Sequence, residues 1–338
     1  MIDAVAPAAV NGRALRSPAV ASRPTADVAV VTCAYSDDRW SDLEECVHWL
    51  RRQAVAPREI VVVIDHNERL FDRASRELSG VSVVSNKGPR GLADARNAGV
   101  QASRSSIVAF IDDDAVPDED WVQRLVEAYD NCPDALGVGG ELVPEWLSEP
   151  PRWFPEEFMW VFGCSYRGMP TSSAPVRNLI GANMSARRSI IEALGGFRTG
   201  FGKKGGRAEP EDTDFGVRAR QRFPDAPLVY YPAARVHHKV PAERASVRYF
   251  VERCIAEGRG KASLVTLVGS DDGLSSERSY VARTLPAGIA RGVLDALRGD
   301  PHGLARAGAI VLGFTLTCYG YAQGRARTAI ENLVRRPG

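Results

Sequence analysis

Ile107-Val108-Ala109-Phe110-Ile111-Asp112-Asp113-Asp114 is the stretch whose reading decides the fold. An apolar run this short and this rich in β-branched residues fits a buried strand. The three acids then stand at its C-terminal tip. Crowded carboxylates repel one another, and a hard divalent cation relieves the repulsion because it prefers carboxylate and phosphate oxygens. The competing reading is a polar turn ended by Pro117.

Working outward, Val28 to Cys33 reads as a strand. Ser41-Asp42-Leu43-Glu44 reads as a capping box opening a helix, with Leu43, Cys46, Val47 and Leu50 on one face. Ile60 to Ile64 is a second strand and ends in Asp65. A helical stretch, a strand at Val81 to Val84 and a helix from Gly91 to Ala102 precede the Asp triplet. An amphipathic helix with Trp121, Leu125 and Val126 inward follows it. This alternation predicts an α/β fold with a parallel sheet and helices on both faces. Ligands of such sheets bind beyond the C-terminal strand ends. Asp65 and Asp112 to Asp114 both fall on that edge.

At 338 residues there is room for one large α/β domain with an appendage, or for two domains. A net charge of +1 offers nucleic acid no bulk electrostatic hold. A hydrophobic content of 44% suits a globular core. The six cysteines include no CxxC pair and read as scattered thiols of a reducing compartment. Residues 1–26, rich in Ala, Pro, Ser and Arg, lack the apolar run of a secretory signal and read as a disordered leader.

No glycine-rich phosphate loop follows the first strand. The stretch there, Ala34-Tyr35-Ser36-Asp37-Asp38, is acidic and would repel phosphate. A cation on the Asp triplet is the expected counter-charge, helped by Arg90 and Arg96 around the turn Gly88 to Gly91. Further on, Gly181-Ala182-Asn183-Met184-Ser185 is expected to precede a helix, with Ser185 as its N-cap and Gly195-Gly196 as its stop. Lys203-Lys204-Gly205-Gly206-Arg207 reads as a mobile basic loop. Glu211-Asp212 opens another helix, where acids are often only dipole partners. Arg218, four residues after Asp214, has the spacing of an ion pair. His237 and His238 follow the strand Leu228 to Tyr231.

These elements, taken in order, carry a resemblance. The strand Val28 to Thr32, Asp65, Gly91 to Gly99, the Asp triplet, Gly181 to Met184, Glu211-Asp212-Thr213-Asp214 and Pro232 to His238 resemble a family 2 inverting glycosyltransferase of the GT-A fold. The likeness runs over residues 27 to 260. It implies a single Rossmann-like, mainly parallel sheet flanked by helices over 27–262, with a helical C-terminal extension over 263–338. It also implies roles. Thr32, Cys33, Ala34 and Tyr35 would line the base pocket, with Asp65 accepting from the base imide N–H. Gly91, Arg96, Asp112 and Asp113 would meet the rest of the nucleotide. Asp112 and Asp114 resemble the DxD motif, with Asp114 on the metal and Asp112 on the ribose or a metal-bound water. The triplet blurs this register, so Asp113 can take either role. His238 would complete the metal shell, with His237 adjacent. Gly181, Ala182, Asn183 and Trp160 would flank the donor sugar and acceptor. Asp212 would be the general base, and Glu211 would orient it or touch the acceptor.

The activity so implied is transfer of one sugar from a nucleotide-diphosphate sugar, UDP-sugar favoured, with inversion and with Mg²⁺ or Mn²⁺ as cofactor. The acceptor would be a hydroxyl on a glycan, a lipid-linked intermediate or a natural product. No QxxRW motif, the mark of the processive synthases of this family, follows Glu211-Asp212. Two rivals stand beside this reading. A nucleotidyltransferase would want a basic, glycine-rich loop after the first strand. A non-catalytic sugar-nucleotide binding module would have no need of Asp212.

Aromatic residues cluster between Trp146 and Tyr166 and read either as core or as an acceptor surface. Ala307 to Tyr321 is nearly uncharged but short for a spanning helix and is interrupted by Gly308, Gly313 and Gly320. Flanking Arg306, Arg325 and Arg327 suit a helix lying on anionic lipid, against the alternative of packing on the catalytic domain. The expected location is the cytoplasm, with peripheral contact at the inner face of the cell membrane.

Overall fold

The computed structural model describes residues 23–199, 203–204, 207–208, 210–269 and 275–334. Most of the leader segment, Gly205-Gly206 of the basic stretch and Asp271-Asp272-Gly273 lie outside these. In the first half, β1 (Thr25–Ala34), β2 (Ala56–Ile64), β3 (Ser82–Ser85), β4 (Ile107–Asp112) and β5 (Ala115–Pro117) alternate with helices. Those helices are α1 (Trp40–Arg51), α2 (Glu68–Glu77), α3 (Leu92–Ala102) and α4 (Trp121–Asn131). Next come β6 (Gly137–Gly139), β7 (Leu142–Trp146), β8 (Ala174–Val176), β9 (Asn183–Arg187) and α5 (Arg188–Ala193). The pair β10 (Lys203–Lys204) and β11 (Arg207–Ala208), α6 (Glu211–Arg222), β12 (Leu228–Tyr230) and β13 (Val236–Val240) complete the sheet-bearing part. The helical remainder is α7 (Val247–Val268), α8 (Ser275–Ser279), a π-turn at Tyr280–Thr284, α9 (Leu285–Leu297) and α10 (Gly303–Val334).

The main sheet runs β3-β2-β1-β4-β9-β6-β12-β8. Strands β3, β2, β1 and β4 are parallel, whereas β9 runs antiparallel between β4 and β6. Alternation along β1 builds two apolar layers. Val28 and Val30 pack with Cys46, Leu50, Trp121 and Leu125, and Val31 packs with Ala93 and Val100. A parallel sheet must be covered on both faces, and the period of two delivers one set of valines to each. At Gly99 a β-carbon would stand 2.3 Å from Val31, so α3 can lie this close to β1 only with glycine there.

Three local expectations change. Helix α1 starts one residue before the supposed capping box, so Ser41 is helical, and it is Ser36 that caps the short 3₁₀ turn Asp37–Arg39. Ser185 is a buried strand residue hydrogen-bonded to Tyr129 and to the Val138 carbonyl, and α5 begins three residues later. The apolar C-terminal stretch is part of the 32-residue helix α10, about 48 Å long. Residues 303–329 contain an 18-residue stretch of mean hydropathy 1.2 and are long and apolar enough to cross a membrane by length and composition, but one side packs on α7 and α9. Gly313 and Gly320 are contact points, whereas Gly308 faces open space. A β-carbon at Gly320 would stand 2.2 Å from the Ile255 carbonyl, and one at Gly313 2.4 Å from the Phe158 ring.

Candidate active site

Register brings the acids together. Cys33 pairs with Asp112 on β4, and Ala34 pairs with Ile64 on β2, which leads directly into Asp65. Asp65 and Asp112 therefore flank the tip of β1 two strands apart, roughly 10 Å at ordinary strand spacing. Asp65 is nearly buried and held by Asn86, whose amide donates to Oδ1 at 2.7 Å, and by the Gly91 N–H, which donates to Oδ2 at 3.0 Å. Thr32 and Ala34 are buried, while Tyr35 is exposed.

A second, three-stranded sheet supplies the histidine. β13 pairs antiparallel with β5, immediately after the Asp triplet, and places His238 opposite Ala115. The Lys239 N–H donates to the Asp114 carbonyl at 3.0 Å. Strand alternation then separates the two histidines. His238 is buried with Nε2 3.2 Å from Asp114 Oδ1, while His237 turns to the other face and meets Asp118 at 2.9 Å.

One ligand atom each from Asp112, Asp114 and His238 lies within 4.8 Å of the others. His238 Nδ1 is buried without a hydrogen-bond partner. Two carboxylates and an imidazole are hard and borderline donors of the kind Mg²⁺ and Mn²⁺ accept, so these residues fit such an ion. Asp113 points elsewhere, to Arg39 at 2.7 Å. Burial pushes the Asp113 carboxyl up to about 7, with Arg39 opposing the shift. Burial acts on Asp114 in the same direction, but His238, Arg39 and Arg244 together hold it below the ordinary carboxylate range.

Glu211 and Asp212 occupy the first turn of α6. Asp212 Oδ2 accepts from the Gly181 N–H at 2.9 Å and Oδ1 from the Thr213 N–H at 2.6 Å, which fixes the carboxylate's direction. Glu211 is buried and pairs with Arg96 at 3.0 Å. Desolvation pushes its carboxyl up to about 7, with Arg96 opposing. Arg96, expected as a free counter-charge for phosphate, is 2% exposed and bridges Glu211 to Asp112 at 3.5 Å. Gly181 covers it, since a β-carbon there would stand 2.6 Å from the guanidinium.

Asp112, Glu211, Asp212, His238, Gly181 and Ala182 all line a cavity of about 760 Å³, which Trp160 also lines. Asn183 does not. Its side chain is fully buried, accepting from Trp121 at 2.9 Å and donating to the Glu141 and Ala234 carbonyls at 2.9 and 2.8 Å. With both N–H donors spent and the side chain fully buried, the expected sugar contact is corrected to a structural staple. The aromatic cluster divides. Phe154, Phe158 and Phe162 are core, the first two packed against Phe250 of α7 and the third against Phe154, and Trp160 and Tyr166 join Phe158 and Phe162 on the cavity wall. Arg306 is not a free lipid contact but pairs with Asp295 and Asp300. Sequence reasoning missed Arg39, Arg244 and Asn86. Arg39 follows the acidic loop by one residue, and its charge was the only signal available.

A sequence model of glycosyl transferase family 2 matches residues 29–195. The glucosyl-dolichyl phosphate glucuronosyltransferase of Haloferax volcanii is 35% identical over 251 residues, 72% of this chain and 80% of that protein. The succinoglycan biosynthesis protein ExoM of Rhizobium meliloti is 29% identical over 51% of this chain and 52% of its own length. Among solved structures, the mannosyltransferase PcManGT of Pyrobaculum calidifontis, in complex with GDP-Man and Mn²⁺, superposes with a TM-score of 0.56 over 88% of both chains at 16% identity. The chain belongs to glycosyltransferase family 2. The nucleotidyltransferase and binding-module alternatives fall with that result.

Proposed function

We propose that this enzyme moves one sugar at a time from a nucleotide-diphosphate sugar, with UDP-sugar the favoured donor, to a hydroxyl acceptor, with inversion. The observation that carries the reading is the convergence on one cavity of Asp212 with Asp112 and His238, which cluster with Asp114. Asp65, oriented by Asn86 and Gly91, reads the base as an acceptor. Asp112, Asp114 and His238 hold Mg²⁺ or Mn²⁺, which when bound offsets charge on the leaving diphosphate. Asp212, aimed by Gly181 and Thr213, takes the proton from the acceptor hydroxyl as its oxygen attacks the anomeric carbon. Glu211 serves through Arg96, because its carboxyl is buried and already paired. One base and one attack invert the anomeric centre.

The dolichyl phosphate in the name of the 35%-identical relative favours a lipid-linked acceptor over a free glycan or natural product. It also favours work at a membrane surface, here its cytoplasmic face. The test is Asp212→Asn. Sugar transfer measured by mass spectrometry should fall by about 10²–10⁴-fold, the usual contribution of a general base. Nucleotide affinity by calorimetry should stay within twofold. Unchanged turnover refutes the assignment.

A further inference from the structure

The cavity wall carries two chemistries. Asp112, Glu211, Asp212 and His238 line it, and so do Phe314 and Cys318 of α10, which are exposed. Val311, Phe314, Cys318 and Tyr321 follow at three- and four-residue spacing and so share one stripe of the helix. Val311 and the neighbouring Leu312 and Tyr319 are 52%, 43% and 55% exposed, so an apolar outer face continues from the cavity mouth.

Helix α7 also presents Tyr249, Arg253, Glu257 and Lys261 to the cavity at successive four-residue intervals. Lys261 is matched by Glu257 at 3.0 Å and Glu277 at 2.6 Å. Arg244 is matched by Asp114, and Arg96 by Glu211. Arg253 differs. Among the described residues no carboxylate lies within ion-pair distance of it, and its Nε donates only a long bond, 3.4 Å, to the Val161 carbonyl. Its charge still reaches Glu257 and helps lower that acid. A half-buried guanidinium fork without a paired anion suits a phosphate, which accepts from it bidentately.

We propose that this cavity seats an acceptor joined to a lipid chain through a phosphate. The sugar hydroxyl meets Asp212, and the phosphate rests on Arg253. The chain runs along Phe158 and Leu285 and leaves between Phe314 and Cys318 onto the apolar face. This rests on the transferase reading above and names where its acceptor binds.

The experiment uses the full chain and its exposed Cys318, with maleimide labelling at that residue followed by peptide mass spectrometry. The probes are dodecyl phosphate below its micellar concentration, dodecanol at the same concentration, and inorganic phosphate. Dodecyl phosphate should slow labelling at least tenfold, dodecanol less than threefold, and inorganic phosphate not at all. Arg253→Gln should reduce protection by dodecyl phosphate to the level of dodecanol. Equal protection by the phosphate and the alcohol in the unmodified enzyme, or protection unaffected by Arg253→Gln, overturns the phosphate seat. Absence of protection by every probe overturns the chain path. Donor hydrolysis run in parallel separates the two readings. Turnover without protection refutes this inference alone, whereas protection without turnover refutes the transferase reading and supports the lipid site.

Discussion

At the scale of the residue, the account turns on which acids do what. Asp112 and Asp114 face His238, and Asp113 faces Arg39. Asp114→Ala and His238→Ala should each weaken Mn²⁺ binding at least tenfold, measured by electron paramagnetic resonance. Asp113→Ala and His237→Ala should change it less than threefold, because neither side chain belongs to the cluster. Equal effects across the four would refute the register. The acids were legible in the sequence because three carboxylates at a strand end have few structural uses. The choice among them was not legible, since a turn rather than strand alternation orients residues 113 and 114. The two histidines could not be told apart either until β13 was seen to pair with β5.

At the scale of the element, buried polar groups and close helix contacts carry the architecture. Asn183 ties β9 to α4 and to the carbonyls of Glu141 and Ala234. Asn183→Leu would leave the Trp121 N–H and the Ala234 carbonyl unpaired in the core, while the Glu141 carbonyl keeps the Val236 N–H, costing about 2–4 kcal/mol. Chemical denaturation should read that loss, and nucleotide affinity of the folded fraction should be unchanged. A change confined to donor affinity, with stability intact, would restore the sugar-contact reading. At the α7–α10 crossing, Gly320→Val would drive a side chain into the Ile255 backbone and cost about 1–3 kcal/mol. A lowered melting temperature checks this. Strands β1 to β4 and helix α3 were readable from periodicity alone. Ser185 misled because a serine before an apolar stretch looks like a cap, whereas here its hydroxyl serves a buried strand pair.

At the scale of the whole molecule, the helical extension is held to the catalytic part by buried charge. Glu277 of α8 meets Lys261 of α7 and Arg177 beside β8, at 2.6 Å each. Burial alone would raise this carboxyl, but the two cations carry it from the ordinary 4.5 down to about 2. The folded value is depressed, so the contribution is complete above pH 4.5 and is lost as pH falls from 4.5 toward 2, about 3 kcal/mol at most. Glu277→Gln should therefore melt lower than the parent at pH 7 and show a flatter loss of stability on acidification, read by thermal unfolding across that range. Matching acid profiles would exclude Glu277 as the tether. Packing of the C-terminal helix on the catalytic domain was one of two readings the sequence allowed, but the residues that make the contact were not visible in it. Alternation revealed the α/β part because each strand reports its own period, but Phe158 and Phe250 meet only through tertiary packing.

The central claim is sugar transfer assisted by a divalent ion at Asp112, Asp114 and His238, with Asp212 as base. A panel of nucleotide sugars incubated with the enzyme, followed by mass spectrometry with and without EDTA, tests it most directly. The expected result is nucleoside diphosphate release from one donor, abolished by the chelator and restored by excess Mn²⁺ or Mg²⁺. Release that continues undiminished in EDTA would contradict it.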